Sequence, residues 1–455
     1  MRRSSSTIAA EIRPTLALAA PIALSQLGLM LMGIVDTAMV GPLGPRAVGA
    51  VGIGTSLFAA TFVTGLGLTL GIDRIAAVAF GAGRLADCRR TLVQGAYLAL
   101  LGGIPLTIIL QVIAGHLARL GIAPDLVPDA SAYLHVLAWS LLPTLLFTVL
   151  RQTLQAMGDA RAPTMVLIAA NGVNLAGNQL FIHGLGSFHG IGMVGSAWAT
   201  LGSRLFALFV LGLYAWRRGV IGRVPGESAG WHGATIMELL RLGIPASGQM
   251  LLEVGFFSTA TLLIGGMGDV PAAAHQTVLV IASFTFMVPL GTGSAGAVRV
   301  AQALGRNDLQ GAVHAGWSAV ILGVGFMTCS AIMLLLAPGP ILSIFGHDAA
   351  TLELARKLMV CAGLFQIFDG AQVTLGGVLR GLGDTLYPML SNLAGHWIVG
   401  LPVGLWFGFH ESMGAVGIWI GLSSGLASVA CVLLMLWRRR IARLLPEGSA
   451  APSVA

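Results

Sequence analysis

Asp36, Glu253 and Asp369 are carboxylates set inside long apolar stretches of the chain, whereas nearly all of the 18 Asp and Glu stand in loops or at stretch ends. A charged carboxylate deep in a bilayer is costly unless it is protonated, paired or hydrated, so such a residue is read first as a group that loads a proton or a cation. The competing reading is a neutral acid hydrogen-bonded between helices. Glu253 and Asp369 fall near the middles of their stretches, at one depth, where two carboxyls could share protons or one cation. Asn174 and Asn178 are four residues apart and lie on one helix face. Asp36, Asn178 and Thr200 fall in the outer halves of theirs and together offer carboxylate, amide and hydroxyl oxygens, a set suited to Na⁺ or to a protonatable acid. Asn and Thr are also common hydrogen-bonding glue between membrane helices.

The elements that must position these groups are transmembrane helices. Of 455 residues, 56% are hydrophobic and only 9% charged, with a mean hydropathy of +0.87. A soluble chain carries about a quarter charged residues. Mainly apolar runs occur at 14–40, 47–72, 91–114, 130–156, 162–183, 190–216, 236–264, 273–300, 312–337, 351–380, 386–409 and 413–437. Each meets the roughly 20 residues that a helix needs to cross the hydrocarbon, and none shows the two-residue alternation of a barrel strand. The fold expected is all-α, with twelve spans. Nineteen of the 25 Lys and Arg fall on one side, and four (Arg46, Arg119, Arg356 and Lys357) on the other. The basic side is cytoplasmic by the positive-inside rule, so both termini are expected in the cytoplasm of a multi-pass inner-membrane protein. The net charge of +7 therefore reflects topology and implies no nucleic-acid partner. Cys88, Cys329, Cys361 and Cys431 have no ligand spacing. The first run is too long for the apolar core of a signal peptide.

The sequence repeats itself. Gln155-Ala156-Met157-Gly158-Asp159 with Pro163 matches Arg380-Gly381-Leu382-Gly383-Asp384 with Pro388, at an offset of 225. Pro21 and Gly41 match Pro245 and Gly265, Gly83-Arg84 matches Gly305-Arg306, and Gly192 to Gly195 matches Gly414 to Gly417. The division expected is a six-helix lobe at 1–218, a cytoplasmic linker at 219–234, a second six-helix lobe at 235–443 and a tail at 444–455. Two parallel six-span repeats with a substrate site between them are a transporter architecture. At these offsets Asp36 aligns with Ala260, Glu253 with Leu29 and Asp369 with Thr144. The fold itself therefore does not require the three acids.

Other signals carry less. Gly381-Leu382-Gly383-Asp384 has the GxGD form of intramembrane aspartyl proteases, but its duplicate lies in an equivalent loop, which favours a turn. No Walker A sequence is present, so the chain is not expected to hydrolyse ATP. His275 and His396 lie within spans and could relay protons or simply pack. Phe256, Phe257, Phe284, Phe286, Phe365 and Phe368 could face a drug cavity or lipid.

Pro21, Val35-Asp36-Thr37, Gly41, Ala82-Gly83-Arg84 and Gln155 to Asp159 resemble the MATE family, multidrug and toxic compound extrusion. So do Ala274-His275-Gln276, Arg299 to Gly305 and Leu379 to Asp384. The resemblance covers essentially the whole chain, and the spacing of Glu253 and Asp369 looks like the NorM branch. It implies two pseudo-symmetric six-helix bundles in a V, and no catalysis. The implied activity is alternating access that exports amphipathic organic cations and drugs in exchange for Na⁺ or H⁺. The coupling site implied comprises Asp36, Asn174, Asn178 and Thr200 in one lobe, with Na⁺ at Asp36, Asn178 and Thr200, and Glu253 with Asp369 in the other. Phe256, Phe284, Phe286, His275 and Gln276 are expected to line the substrate cavity. A monomer in the lipid bilayer is expected, with no cofactor besides the coupling ion. Related branches carry a second acid where this chain has Asn178, which leaves the ion open. The nearest rival is a lipid-linked precursor flippase of the same superfamily; an intramembrane protease is a distant one.

Overall fold

Backbone polar groups have no water to bind inside a bilayer, so a chain this apolar must satisfy them within helices. The computed structural model describes residues 7–186, 188–222, 230–346 and 348–444. Arg2 and Arg3, linker residues 223–229 (with Arg223, Pro225, Glu227 and Ser228) and tail residues 445–455 lie outside the described residues. The first copy comprises α1 (Ile8–Val40), α2 (Pro45–Thr69), α3 (Gly71–Gly81), α4 (Leu85–Gly115), α5 (Val127–Ala138), α6 (Leu141–Ala156), α7 (Arg161–Asn178) and α8 (Met193–Arg217). The second comprises α9 (Gly233–Gly265), α10 (Asp269–Gly305), α11 (Leu309–Leu336), α12 (Pro338–Ser343), α13 (Ala349–Leu382), α14 (Leu386–Asn392), α15 (Leu401–Leu405) and α16 (Ala415–Leu444). A two-stranded hairpin, β1 (Gly184–Leu185) with β2 (Phe188–His189), caps the end of the fifth span.

Among the described residues, 11 helices are long and apolar enough to cross a membrane. The remaining expected run, 386–409, is helical as well, but it alternates α and π turns: α14, a π segment at Leu393–Gly400, α15, and a second π segment at Trp406–His410. Its glycines explain how so irregular a helix is held. A Cβ on Gly400 would lie 3.0 Å from the Gly421 carbonyl and 3.0 Å from Gly425 Cα of α16. The two backbones therefore touch directly, the close approach that small residues permit between membrane helices. Large apolar side chains such as Leu101, Ile108, Phe209, Leu262 and Leu336 are exposed, as a lipid-facing surface requires.

The chain packs as two units, one of Ser25–Ser247 and the other of Met1–Leu24 with Gly248–Ala455. Each change of unit falls inside a long helix, just after Pro21 in α1 and just after Pro245 in α9. A proline inside a helix removes one hydrogen bond and crowds the preceding turn, so these are the points where a continuous helix most readily bends.

The repeat is visible in the turns. Gly158 (φ 89°) and Gly383 (φ 90°) both take the left-handed conformation that ends a helix. Asp159 then accepts from the Ala162 N–H at 3.2 Å, and Asp384 from the Tyr387 N–H at 3.4 Å. The turn after α3 refines the match read from sequence. Gly83 (φ 74°) is the left-handed residue there, and after α10 that place is taken by Asn307 (φ 58°). Gly83 therefore corresponds to Asn307 rather than Gly305, which agrees with the 224-residue offset of Pro21 and Pro245.

Candidate functional site

In the Ser25–Ser247 unit, α1 supplies Asp36, α7 supplies Asn174 and Asn178 one turn apart, and α8 supplies Thr200. The structure brings these four together. The Asn178 amide donates to Asp36 Oδ1 at 2.7 Å, and the Thr200 hydroxyl donates to Asp36 Oδ2 at 2.8 Å. Asn178 also donates to Asn174 Oδ1 at 3.3 Å, and Asn174 donates to Thr200 Oγ1 at 3.3 Å. All four are buried, with Asn174 and Asn178 at 0% exposure. Asp36 here only accepts hydrogen bonds, which is the role of an ionised carboxylate. One acceptor in the cluster has no partner: Asn178 Oδ1 is buried and makes no hydrogen bond. An orphaned carbonyl beside a carboxylate is the kind of atom a proton or hard cation would use.

The cluster borders a cavity of about 210 Å³ within this unit, lined by Met32, Asp36, Phe58, Phe147, Thr200 and Arg204, among others. The walls are mainly apolar. The Arg204 guanidinium lies 4.3 Å over the Phe58 ring and donates from Nη1 to Ser140 Oγ at 2.5 Å. It has no carboxylate within the 4.0 Å of an ion pair among the described residues, Asp36 included.

The other unit holds Glu253 on α9 and Asp369 on α13. Asp369 is buried at 5% exposure, and Glu253 is partly exposed. Gln372, three residues beyond Asp369 on the same helix face, donates from Nε2 to Glu253 Oε2 at 3.1 Å. Asp369 makes no hydrogen bond among the described residues, and neither acid has a Lys, Arg or His within ion-pair distance. The Gln372 amide oxygen is itself buried and unpartnered. Glu253 thus has one donor, Asp369 has none, and neither has a cation within ion-pair distance among the described residues. This pair differs from the Asp36 cluster, where each carboxylate oxygen has a donor.

The residues expected along a substrate cavity are dispersed. His275 is buried, accepts from the Trp419 indole at 3.1 Å and bonds Thr261 Oγ1 at 2.9 Å. Phe256 is a core residue stacked on the His396 ring at 4.8 Å. Phe286 is partly buried, whereas Gln276 and Phe284 are exposed. The GxGD aspartate is a structural turn residue: Asp384 pairs with Arg440 at 2.6 Å, while its counterpart Asp159 accepts from the Tyr214 hydroxyl at 2.6 Å. Both copies use the aspartate to tie the turn to the last helix of their own half.

Sequence reading passed over Gln372 and Ser140. Gln372 was within reach, since it stands at i+3 from an intramembrane acid. Ser140 carries no such signal, because it meets Arg204 only through the packing of the fourth span on the sixth. Asp73 and Arg151, at the inner ends of their spans, are buried in the same unit and interact electrostatically.

Known proteins resemble this chain in sequence and in fold. The MatE family model matches residues 21–180 and 245–406, one stretch in each copy. A curated relative from Mesorhizobium japonicum, described as a probable multidrug resistance protein NorM, is 39% identical, with 94% of this chain and 94% of the relative covered. Another from Burkholderia vietnamiensis, described as multidrug resistance protein NorM, is 37% identical over 93% of this chain and 92% of its own. The crystal structure of the eukaryotic MATE transporter AtDTX14 superposes with a TM-score of 0.84 at 22% identity, covering 96% of this chain and 98% of that one. Relatives matched over nearly their full length, a family model spanning both copies and a shared helical fold together establish that the chain is a member of the MatE family of membrane transporters.

Proposed function

We propose that this chain exports drugs, chiefly organic cations with an apolar body, across the inner membrane by antiport with H⁺ or Na⁺, through alternating access of its two units. The observation that carries the reading is the state of the intramembrane acids. Asp36, Glu253 and Asp369 lie inside membrane-length helices, and none is within ion-pair distance of a cationic side chain among the described residues. Such groups, Glu253 and Asp369 above all, can take charge from outside the protein, and a coupling ion or a cationic drug can supply it. The names of the NorM relatives agree with this reading.

An ion arriving from outside neutralises an acid and weakens its hold on a cationic substrate. Release of the ion inside restores the negative site, which then draws substrate from the cytoplasm. Coupling requires that ion and drug prefer different states, since equal affinities shift nothing. At Asp36 the local chemistry is specific. A proton on either carboxylate oxygen needs an acceptor, and rotation of the Asn178 amide would present its unpartnered oxygen. For Na⁺, the oxygens of Asp36, Asn178 and Thr200 would be the ligands.

The test is efflux of a cationic dye from proteoliposomes under a pH gradient alone and under a Na⁺ gradient alone, with Asp36→Asn, Glu253→Gln and Asp369→Asn alongside. Gradient-driven efflux that is lost or uncoupled in at least one variant is expected. Wild-type efflux in all three would reject the reading.

A further inference from the structure

Arg204 is a buried charge that the exporter reading does not use. An Arg in a transmembrane span is expensive and calls for a partner. Its guanidinium carries five N–H donors in a planar fork. One of them reaches Ser140, and the guanidinium carbon lies 4.3 Å from the centroid of the Phe58 ring. Among the described residues no carboxylate sits within 4.0 Å, and Asp36, on the same cavity wall, is already bonded to Asn178 and Thr200. The cation–π contact with Phe58 and the Ser140 bond hold the group in place, so its remaining donors are oriented in advance and cost little to use.

We propose that the cavity of the Ser25–Ser247 unit is a binding site for small amphipathic acids, with Arg204 as the anchor of the carboxylate. The planar fork matches a carboxylate through two parallel hydrogen bonds, which a lysine could not provide. The apolar body lies among Met32, Phe58, Phe62, Leu137 and Phe147, which line the same cavity. At about 210 Å³ the space is below the roughly 300–1,000 Å³ of drug-sized pockets, so the ligand is a body of one or two rings. The cavity holds one carboxylate and one guanidinium, so loading Asp36 with a proton or Na⁺ leaves it net positive. An acidic ligand is therefore bound together with the coupling ion, whereas a cationic one competes with it. This assignment rests on the exporter reading only in naming such acids as cargo.

Calorimetry on the purified full-length protein in detergent tests it, with 2-naphthoate as the probe and the neutral 2-naphthamide as its control. In the wild type the acid binds about tenfold more tightly than the amide, the scale of a hydrogen-bonded charge. Arg204→Gln removes that preference and leaves amide binding within about threefold, since the apolar walls are untouched. Equal binding of acid and amide by the wild type, or a preference that survives Arg204→Gln, overturns the proposal. Should Arg204→Gln lose its melting transition, Arg204→Lys decides: a preference reduced by about threefold or more supports the fork, and an unchanged one overturns it. Binding is read without any gradient, so failure here leaves cation export standing, and failure of dye efflux leaves this result standing.

Discussion

In the Ser25–Ser247 unit, Asp36 accepts from Asn178 and from Thr200 and shares its cavity with Arg204. In the other unit, Glu253 has a single donor, Gln372, Asp369 has none, and neither has a cation within ion-pair distance among the described residues. The two halves match in their turns, with left-handed Gly158 and Gly383 at equivalent places, yet the polar groups mounted on them differ. One site is nearly self-sufficient, with hydrogen bonds to both carboxylate oxygens and a resident positive charge on the same cavity wall. The other is deficient in both. The repeat thus carries two different sets of polar side chains: an acid with a donor on each oxygen in one unit, and two acids with one donor between them, on Glu253, in the other.

That contrast can be broken most directly at the deficient site. Glu253→Gln and Asp369→Asn each reduce efflux of a cationic dye by about tenfold or more, within the usual range of coupling energies, while Asp36→Asn retains a larger share. Equal losses in the three variants would show that the two sites act alike. Next in size, Asn178→Asp places a second carboxylate beside Asp36, and Na⁺ binding measured by calorimetry strengthens by about tenfold, as a nearby charge at intermediate dielectric allows. No change would mean that Na⁺ does not bind there.

Arg204→Gln sharpens the contrast by removing the resident cation. Na⁺ affinity of the Asp36 cluster then rises about three- to fivefold, less than for Asn178→Asp because the two groups are not in direct contact. The smallest effect is expected of Gln372→Leu. It removes one hydrogen bond to Glu253 and costs about 1–2 kcal/mol of stability, with dye efflux changed by less than about threefold. A loss as large as that of Glu253→Gln would make Gln372 part of the ion site itself.

Much of this was legible in the residues. The twelve spans followed from apolar run length, because a bilayer imposes one dimension on every helix. Asp36, Asn174, Asn178 and Thr200 could be grouped by depth, since position along a span reports height in the membrane. The irregular eleventh span was harder: 386–409 reads as an ordinary apolar run, yet it carries two π segments and packs closely on Gly421 and Gly425 of α16. The aromatic set was the least legible. Phe256 and Phe284 are equally apolar, yet one is a core residue and the other is exposed. Composition cannot tell the two apart where the lipid is as oily as the interior.

The sequence by itself determined what had to be helical, where the copies begin and which acids belong to neither copy's common pattern. Those properties depend on run length, offset and charge, all of which are written along the chain. Only the tertiary structure decided that Asn178 turns its amide nitrogen to Asp36 and leaves its oxygen unpartnered, or that Arg204 rests on Phe58 with Ser140 as its hydrogen-bond acceptor. These are contacts between helices distant in sequence, set by how neighbouring spans rotate and pack, and no periodicity within one span encodes them.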